Sequence, residues 1–306
     1  MPTLRQLEYL VTIIDERSFT RAAEILHVTQ SALSHQVKTL ERVVGGRLVE
    51  RLPRGVRATP LGRAMLPHAR AALAGSQRAE KAARQAAGLE AGELEVASVY
   101  SVTLGVLPPV LRAWRRAHPE VHIRLVEHRH ADELEAAMVA GEADVAVGPS
   151  PSAWDGPVWM IGEEEFVVVL APDDEAPQNS GTVALGELAD RGWVHYAPGN
   201  GLGVLVDKAC AAAGFTPRAS VRTEQTAAAH LLAAAGLGPA LVPANVIPAR
   251  FSGRVLRPSP PVVRALAVYA RKDPDPVTAA FAELVARKAC VLPAHVKRQL
   301  DGQAAD

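Results

Sequence analysis

Between Ser18 and Arg57 the chain carries two short helical patterns, a tight turn between them and a basic hairpin. That order and spacing constrain the fold more than any other stretch. Ahead of it, Leu4, Leu7, Leu10, Val11 and Ile14 recur at helical spacing and predict an amphipathic helix over 4–16. Ser18 precedes the next apolar run and is a natural N-cap for a helix from about Phe19 to Leu26. Thr29 caps a third helix, from about Gln30 to Val44, with Ala32, Leu33, Val37, Leu40 and Val44 turned inward. Gly45-Gly46 ends it, since glycine accepts the left-handed backbone of a helix stop. A hairpin follows, with Pro53-Arg54-Gly55 as its turn. Three helices and a hairpin in this order make a winged helix-turn-helix, which seats its last helix in a DNA major groove.

The net charge of zero conceals an asymmetry that fits this reading. Residues 1–92 hold 14 Lys and Arg against 8 Asp and Glu, a balance of +6; the rest holds 19 against 25, a balance of −6. A polyanion partner is therefore expected at the front end only. The 306 residues suit two domains. With 4% aromatic residues, the cores must rest on Ala, Val and Leu. No run approaches the ~18–20 apolar residues that cross a bilayer, and the N-terminus lacks a signal-peptide pattern. Cys210 and Cys290 have no metal-ligand spacing, which suits a reducing cytoplasm. No cofactor, metal or membrane partner is expected.

Thr59 and Pro60 open a long alanine-rich helix from Leu61 to about Ala87, with Pro60 at its first position. Along it Met65, Ala69, Ala72, Ser76, Ala79, Ala83 and Ala86 alternate four and three residues apart. Such a seam of small side chains permits close packing against a second helix, so a homodimer through this linker is expected. Gly88 to Gly92 breaks the pattern. Beyond it strands and helices alternate. Leu94 and Val96 mark a strand, Val102 to Ala117 a helix, Val121 to Leu125 a strand, Asp132 to Ala140 a helix and Ala143 to Val147 a buried strand, together a βαβαβ unit with a parallel sheet. A second unit follows, with strands at Phe166 to Leu170, Trp193 to Tyr196, near Val221, Ala240 to Val242 and Arg264 to Arg271. Its helices span Gly201 to Ala213, Gln225 to Ala235 and Val277 to Lys288. The tail from Asp301 reads as disordered. Two α/β halves predict a cleft between them.

The first turns of a recognition helix face base edges. Here they present Gln30, Ser31, Ser34 and His35, with Thr29 at the cap. Gln can bond adenine N6 and N7 together, and Ser can bond any base. Lys38, one turn on, should reach phosphate, as should Ser18, Thr20 and Arg21 at the start of the preceding helix. Arg51, Arg54 and Arg57 belong to the wing, where a narrow minor groove attracts arginine. In the second part, ligands of α/β folds bind beyond the carboxyl ends of strands. Those ends give Tyr100, Ser101 and Thr103, then Arg129 and His130, then Gly148; in the other half they give Asn200 and Gly201, then Gln225 and Thr226. Hydroxyls, helix N-termini and Arg129 there favour a small anionic effector. His128-Arg129-His130 has the wrong company and spacing for a metal.

Ala22-Ala23, Leu26, Thr29-Gln30-Ser31-Ala32-Leu33-Ser34, Leu40-Glu41, Gly45, Leu48, Arg51, Thr59 and Gly62 resemble the LysR-type transcriptional regulators of bacteria. The likeness is dense over the first 65 residues and diffuse through about residue 292. Val44 and Val49 depart from it, standing where the family usually has Leu and Phe. The resemblance implies three parts: a winged helix-turn-helix over 1–59, a linker and dimerisation helix over 60–90, and over 91–306 a two-lobed effector-binding domain of the periplasmic-binding-protein-like (type 2) kind. The chain would cross between lobes near Gly162 and Val263, giving lobe I (91–162 and 264–300) and lobe II (163–263). It further implies double-stranded promoter DNA as partner, a homotetramer built from dimers, contact with RNA polymerase, and a place on the nucleoid in the cytoplasm. An enzyme with a DNA tether finds no nucleophile elbow or phosphate loop; Gly199-Asn200-Gly201-Leu202-Gly203 lacks the needed spacing. An architectural DNA-binding protein would have no use for a two-lobed domain of this size.

Overall fold

The computed structural model describes residues 1–52, 55–86, 92–175 and 181–302, and the chain divides into two compact units, one of Met1–Gly92 that also takes in Ala136–Glu142, the end of a helix begun in the other, and one of Glu93–Glu135 with Ala143–Asp306. In the first, helices α1 (Leu4–Glu16), α2 (Phe19–Ile25) and α3 (Gln30–Val44) precede strands β1 (Val49–Leu52) and β2 (Gly55–Ala58) and helix α4 (Pro60–Ala86). Each of the first three helices starts at a hydroxyl cap: Thr3 accepts from Gln6 N, Ser18 from Arg21 N and Thr29 from Ala32 N. Their apolar faces enclose Tyr9, Leu10, Ile13, Phe19, Ala22, Leu33, Val37 and Leu40 with Leu48 and Val56. Val49 belongs to this core and Val44 packs against it, so both departures from the family pattern keep an apolar side chain in place. Ala32, read as inward, is exposed. At 100° per residue it lies well round the helix from Leu33 and Val37.

Several motif residues prove to be joints. Gly45 has φ +80°, the left-handed stop of α3. The Glu41 carboxylate accepts from Leu48 N at 2.8 Å and Val49 N at 3.4 Å, tying α3 to the wing. Thr59 donates to the Arg47 carbonyl at 2.6 Å and accepts from Gly62 N at 3.0 Å. A Cβ at Gly62 would collide with the Leu48 carbonyl, so only glycine lets α4 pass there. The wing is pinned at its other side, where Val56 N donates to the Arg17 carbonyl at 2.9 Å. Pro53 and Arg54, read as the hairpin turn, lie outside the described residues, as does the break over 87–91. Along α4 the seam divides. Ala69 is buried and Met65 packs on the core of this unit, whereas Ala72, Ser76, Ala79 and Ala83 are exposed.

The second unit comprises β3 (Glu93–Val99), α5 (Tyr100–Gly105), α6 (Leu107–Ala117), β4 (His122–His128), α7 (Ala131–Ala140), β5 (Val145–Pro149), β6 (Val158–Leu170), β7 (Thr182–Ala184), β8 (Gly192–Tyr196), α8 (Gly201–Ala212), β9 (Arg218–Thr223), α9 (Thr226–Ala234), β10 (Ala240–Pro243), β11 (Arg254–Ser259), β12 (Val263–Ala270), α10 (Pro276–Lys288) and α11 (Ala294–Gly302). Strands β4, β3 and β5 are parallel neighbours, the βαβαβ unit read from the sequence. β12 continues that sheet beside β5 and pairs on its other edge with β6. β6 is the long strand. Its first part pairs with β12, and its last part, Phe166–Leu170, pairs with β10 and β11 in the second apolar core. β8 and β9 form a separate parallel pair.

Three expectations fail here. The helix over Val102–Ala117 is two helices that part at Val106, because Pro108 and Pro109 fit a helix start and not an interior. The strand expected to begin at Phe166 begins at Val158; Gly162 and the run Glu163-Glu164-Glu165 interrupt its apolar pattern and hide the apolar part over 158–161. The tail from Asp301 does not begin in disorder: Asp301 lies in α11 and pairs with Arg257 at 3.3 Å.

Candidate functional site

The first unit presents a polar helix face. Gln30, Ser31, His35 and Lys38 are exposed and Ser34 is half-buried, all within an arc of α3 opposite Leu33, Val37, Leu40 and Val44. The arrangement follows from the sequence: apolar residues three and four apart fix one face to the core and leave the other outward. The sites differ in how free they are. The Thr29 and Ser31 hydroxyls lie 3.1 Å apart. Arg51 donates to Ser34 Oγ at 2.9 Å and stacks its guanidinium 4.5 Å over Phe19, so it stands beside α3 rather than reaching out along the wing. Arg57 is paired with Glu50 at 2.6 Å, which offsets its charge. Arg21 lies near Glu16 and Glu24. Ser18 is occupied as a cap, Thr20 is exposed, and Arg54 lies outside the described residues.

In the second unit a cavity of about 410 Å³ opens at the strand ends. Of the residues read from the sequence, Tyr100, Ser101, Arg129, His130, Asn200, Gly201 and Thr226 line it. Gln225 lines an adjoining cavity of about 290 Å³, which Tyr100, Arg129 and Thr226 share with Glu127 and Glu224. Thr103 and Gly148 line neither. The Thr103 hydroxyl is buried with no hydrogen-bond partner among the described residues, and Gly148 is backed by Leu134, whose Cδ2 would lie 2.6 Å from an added Cβ.

Two details revise the helix-terminus argument. The α8 terminus is closed: Gly201 N donates to the Arg129 carbonyl at 3.1 Å and Leu202 N to Asn200 Oδ1 at 2.9 Å. The α9 terminus has no side-chain cap; Ala228 N donates to the Gln225 carbonyl at 3.0 Å, and the two amides ahead of it belong to Thr226 and Ala227, which line the cavities. Thr226 is only 3% exposed and lines both cavities.

Three cations line the larger cavity, Arg129, Lys208 and Arg264, against the single carboxylate of Asp132. Among the described residues Arg129 forms no ion pair with Glu127 or Glu224. Lys208 and Arg264 were not read from the sequence. Arg264 lies at the cavity floor, pairs with the fully buried Glu164 and donates to Ser101 Oγ at 2.9 Å. Glu164 also accepts from Asn245 Nδ2 at 2.6 Å. Beside this pair the buried Tyr196 hydroxyl has no partner among the described residues, and burial pushes its pKa up, opposed by Arg264. The only signal for this network was a Glu run and an Arg beside apolar strands, which reads as solvated surface. Cys210 is buried, and burial, with Asp207 adding, pushes its thiol up to about 12, leaving no thiolate at neutral pH.

The family profile described as "Bacterial regulatory helix-turn-helix protein, lysR family" matches residues 4–63, and that described as "LysR substrate binding domain" matches residues 87–290. The chain is 32% identical over 244 residues to the HTH-type transcriptional regulator ShiR of Corynebacterium glutamicum, covering 78% of this chain and 81% of that one. It is 31% identical over 294 residues to the HTH-type transcriptional regulator IlvR of Caulobacter vibrioides, covering 92% and 97%. Among solved structures, CbnR, a LysR family transcriptional regulator, superposes with a TM-score of 0.68 at 26% identity over 94% of this chain and all of that one. Full-length CbnR complexed with its target DNA gives 0.66 at 26% identity, again over 94% of this chain and all of that one.

Proposed function

The chain belongs to the LysR family of DNA-binding transcriptional regulators and carries that family's effector domain, and on that premise we propose that a small anionic effector in the cleft governs its action at promoters. It is a regulator and not an enzyme, as its relatives are. The observation that carries the DNA-reading part is the exposed polar face of α3 within the first 92 residues, whose charge balance is +6. Gln30, Ser31, Ser34 and His35 contact base edges, with Thr29 capping the helix that holds them. Lys38, Ser18, Thr20 and Arg21 hold phosphates. Arg51, Arg54 and Arg57 complete the cationic rim, Arg51 from beside α3.

The effector part rests on three cations facing one carboxylate and on an α9 terminus without a side-chain cap, where Thr226 lines the cavity. Tyr100, Ser101, Arg129, His130, Asn200, Gly201, Gln225 and Thr226 serve as contacts. The domain limits follow the sequence reading: 1–59, 60–90 and 91–306, with lobes at 91–162 plus 264–300 and at 163–263. Two copies pair through the exposed part of the α4 seam and set two recognition helices about one DNA turn apart or a multiple of it. Pairs assemble into tetramers, and the complex meets RNA polymerase on the nucleoid of the bacterial cytoplasm. Effector binding shifts the population of lobe arrangements and so the spacing of the DNA-binding units.

The test is a gel shift of the full chain on its own upstream region at low salt, with and without simple carboxylates. A shifted complex whose pattern changes with a carboxylate is expected. No complex under any condition overturns the regulator reading. A complex indifferent to every carboxylate overturns the anion reading alone.

A further inference from the structure

We propose that Arg264 holds the effector's anionic group at the cleft floor and that Glu164, its buried partner, competes with the effector for the same guanidinium and so sets the threshold for binding. This rests on the reading of the cleft as an anion site.

Arg264 is 18% exposed by side chain and stacks 5.4 Å over the Phe166 ring, which fixes its plane. A guanidinium has five N–H donors. Its Nε is used on Glu164 and one Nη2 hydrogen on Ser101, which leaves donors for a ligand in the cavity it lines. Ser101 accepts from Arg264, so its own hydroxyl hydrogen is free to donate beside them. By contrast Arg129 and Lys208 are exposed. They can draw an anion in, but long, solvated side chains fix its position poorly.

Glu164 connects this site to the strands that join the two halves. It is fully buried, and its Cα stands directly across the β6–β12 ladder from that of Arg264. It also accepts from Asn245, in the turn after β10, while Arg264 reaches Ser101 at the start of α5. One ion pair therefore gathers bonds from both halves, and an anion that draws charge from Arg264 weakens them together. Charge competition fixes the signs. Neutralising Glu164 removes the rival and tightens anion binding; neutralising Arg264 removes the holder and weakens it.

The test uses the full chain and calorimetric titration with simple mono- and dicarboxylates, from acetate through succinate to benzoate, at matched ionic strength. Arg264→Gln alone leaves Glu164 buried without its partner, so the Glu164→Gln/Arg264→Gln double variant, neutral and similar in shape, carries the loss measurement. Circular dichroism melts check its fold. Expected are a carboxylate that binds the parent chain, a gain of about tenfold in Glu164→Gln and a loss of about tenfold or more in the double variant, the range of one charge-assisted hydrogen bond. A double variant that binds as the parent does, or a Glu164→Gln protein that binds more weakly, overturns the proposal and leaves the anion cleft standing. A parent chain that binds none of the carboxylates overturns the cleft reading and this proposal with it.

Discussion

In the DNA-reading unit, the side chains offered to the ligand come from a few dozen consecutive residues and stand on the outside of a rigid helix. In the effector unit they come from separate segments between Val99 and Arg264, and the most firmly held of them are buried. The first arrangement separates the work. Leu33, Val37 and Leu40 hold α3, Glu41, Thr59 and Gly62 lock the joints, and Gln30 or His35 can change without disturbing either. The second merges the work, because Arg264 both lines the cavity and belongs to a buried network. With the contacts proposed above, specificity for DNA would be adjustable at little structural risk, whereas effector specificity would be bound up with the stability of the strands that carry it.

The largest expected effect probes that merger. Glu164→Ala strands Arg264 against an empty buried site and should destabilise the effector unit by about 3 to 5 kcal/mol. Calorimetric melting checks it, and a loss no greater than that of an exposed pair such as Glu50–Arg57, about 0 to 1 kcal/mol, would erase the contrast. Next, Gln30→Ala should relax sequence preference by about 1 to 3 kcal/mol with no change in melting temperature. Lys38→Ala should weaken binding to all sequences alike and reduce the salt slope by about one. Competition binding against scrambled sites separates them; unchanged selectivity in Gln30→Ala would show that another face of the head reads bases.

The smallest effect concerns pH. His230 is buried against Phe251 in the effector unit, and burial lowers its pKa. The unfolded chain then takes up the proton first, so stability is flat above about pH 6.5 and falls as pH drops below that value toward the lower folded pKa. His230→Phe should remove this slope. Melts of both proteins from pH 7.5 down to 5.5 decide it, and an identical slope in the variant would assign the pH dependence to other groups.

How much was legible follows the same division. Hydrophobic spacing gave α1 and α3 with the limits the structure has, and the hydroxyls of Ser18 and Thr29 marked the caps of α2 and α3. The cleft was legible where strand ends could be recognised, so seven of its ten residues line the main cavity. Thr103 and Gly148 fell away because a strand end fixes a neighbourhood and not a side-chain direction. Glu164 and its partner Arg264 were missed because a charged residue in sequence gives no sign of being drawn into a buried pair, and Lys208 because an exposed lysine within a helix gives no sign of the cavity it lines.

What the chain determined by itself was therefore whatever depends on neighbours within a turn or a strand: helix periodicity, caps, glycine stops, the basic balance of the first 92 residues, and the face of α3 turned to solvent. Only the tertiary structure decided what depends on residues far apart meeting. It paired Glu164 with Arg264 across the ladder, one hundred positions on, brought Asn245 and Ser101 to the same site, and closed the α8 terminus against the Arg129 carbonyl. The physical reason is that a local pattern carries its own periodicity, while the partner of a buried charge is chosen by topology, which no window of sequence contains.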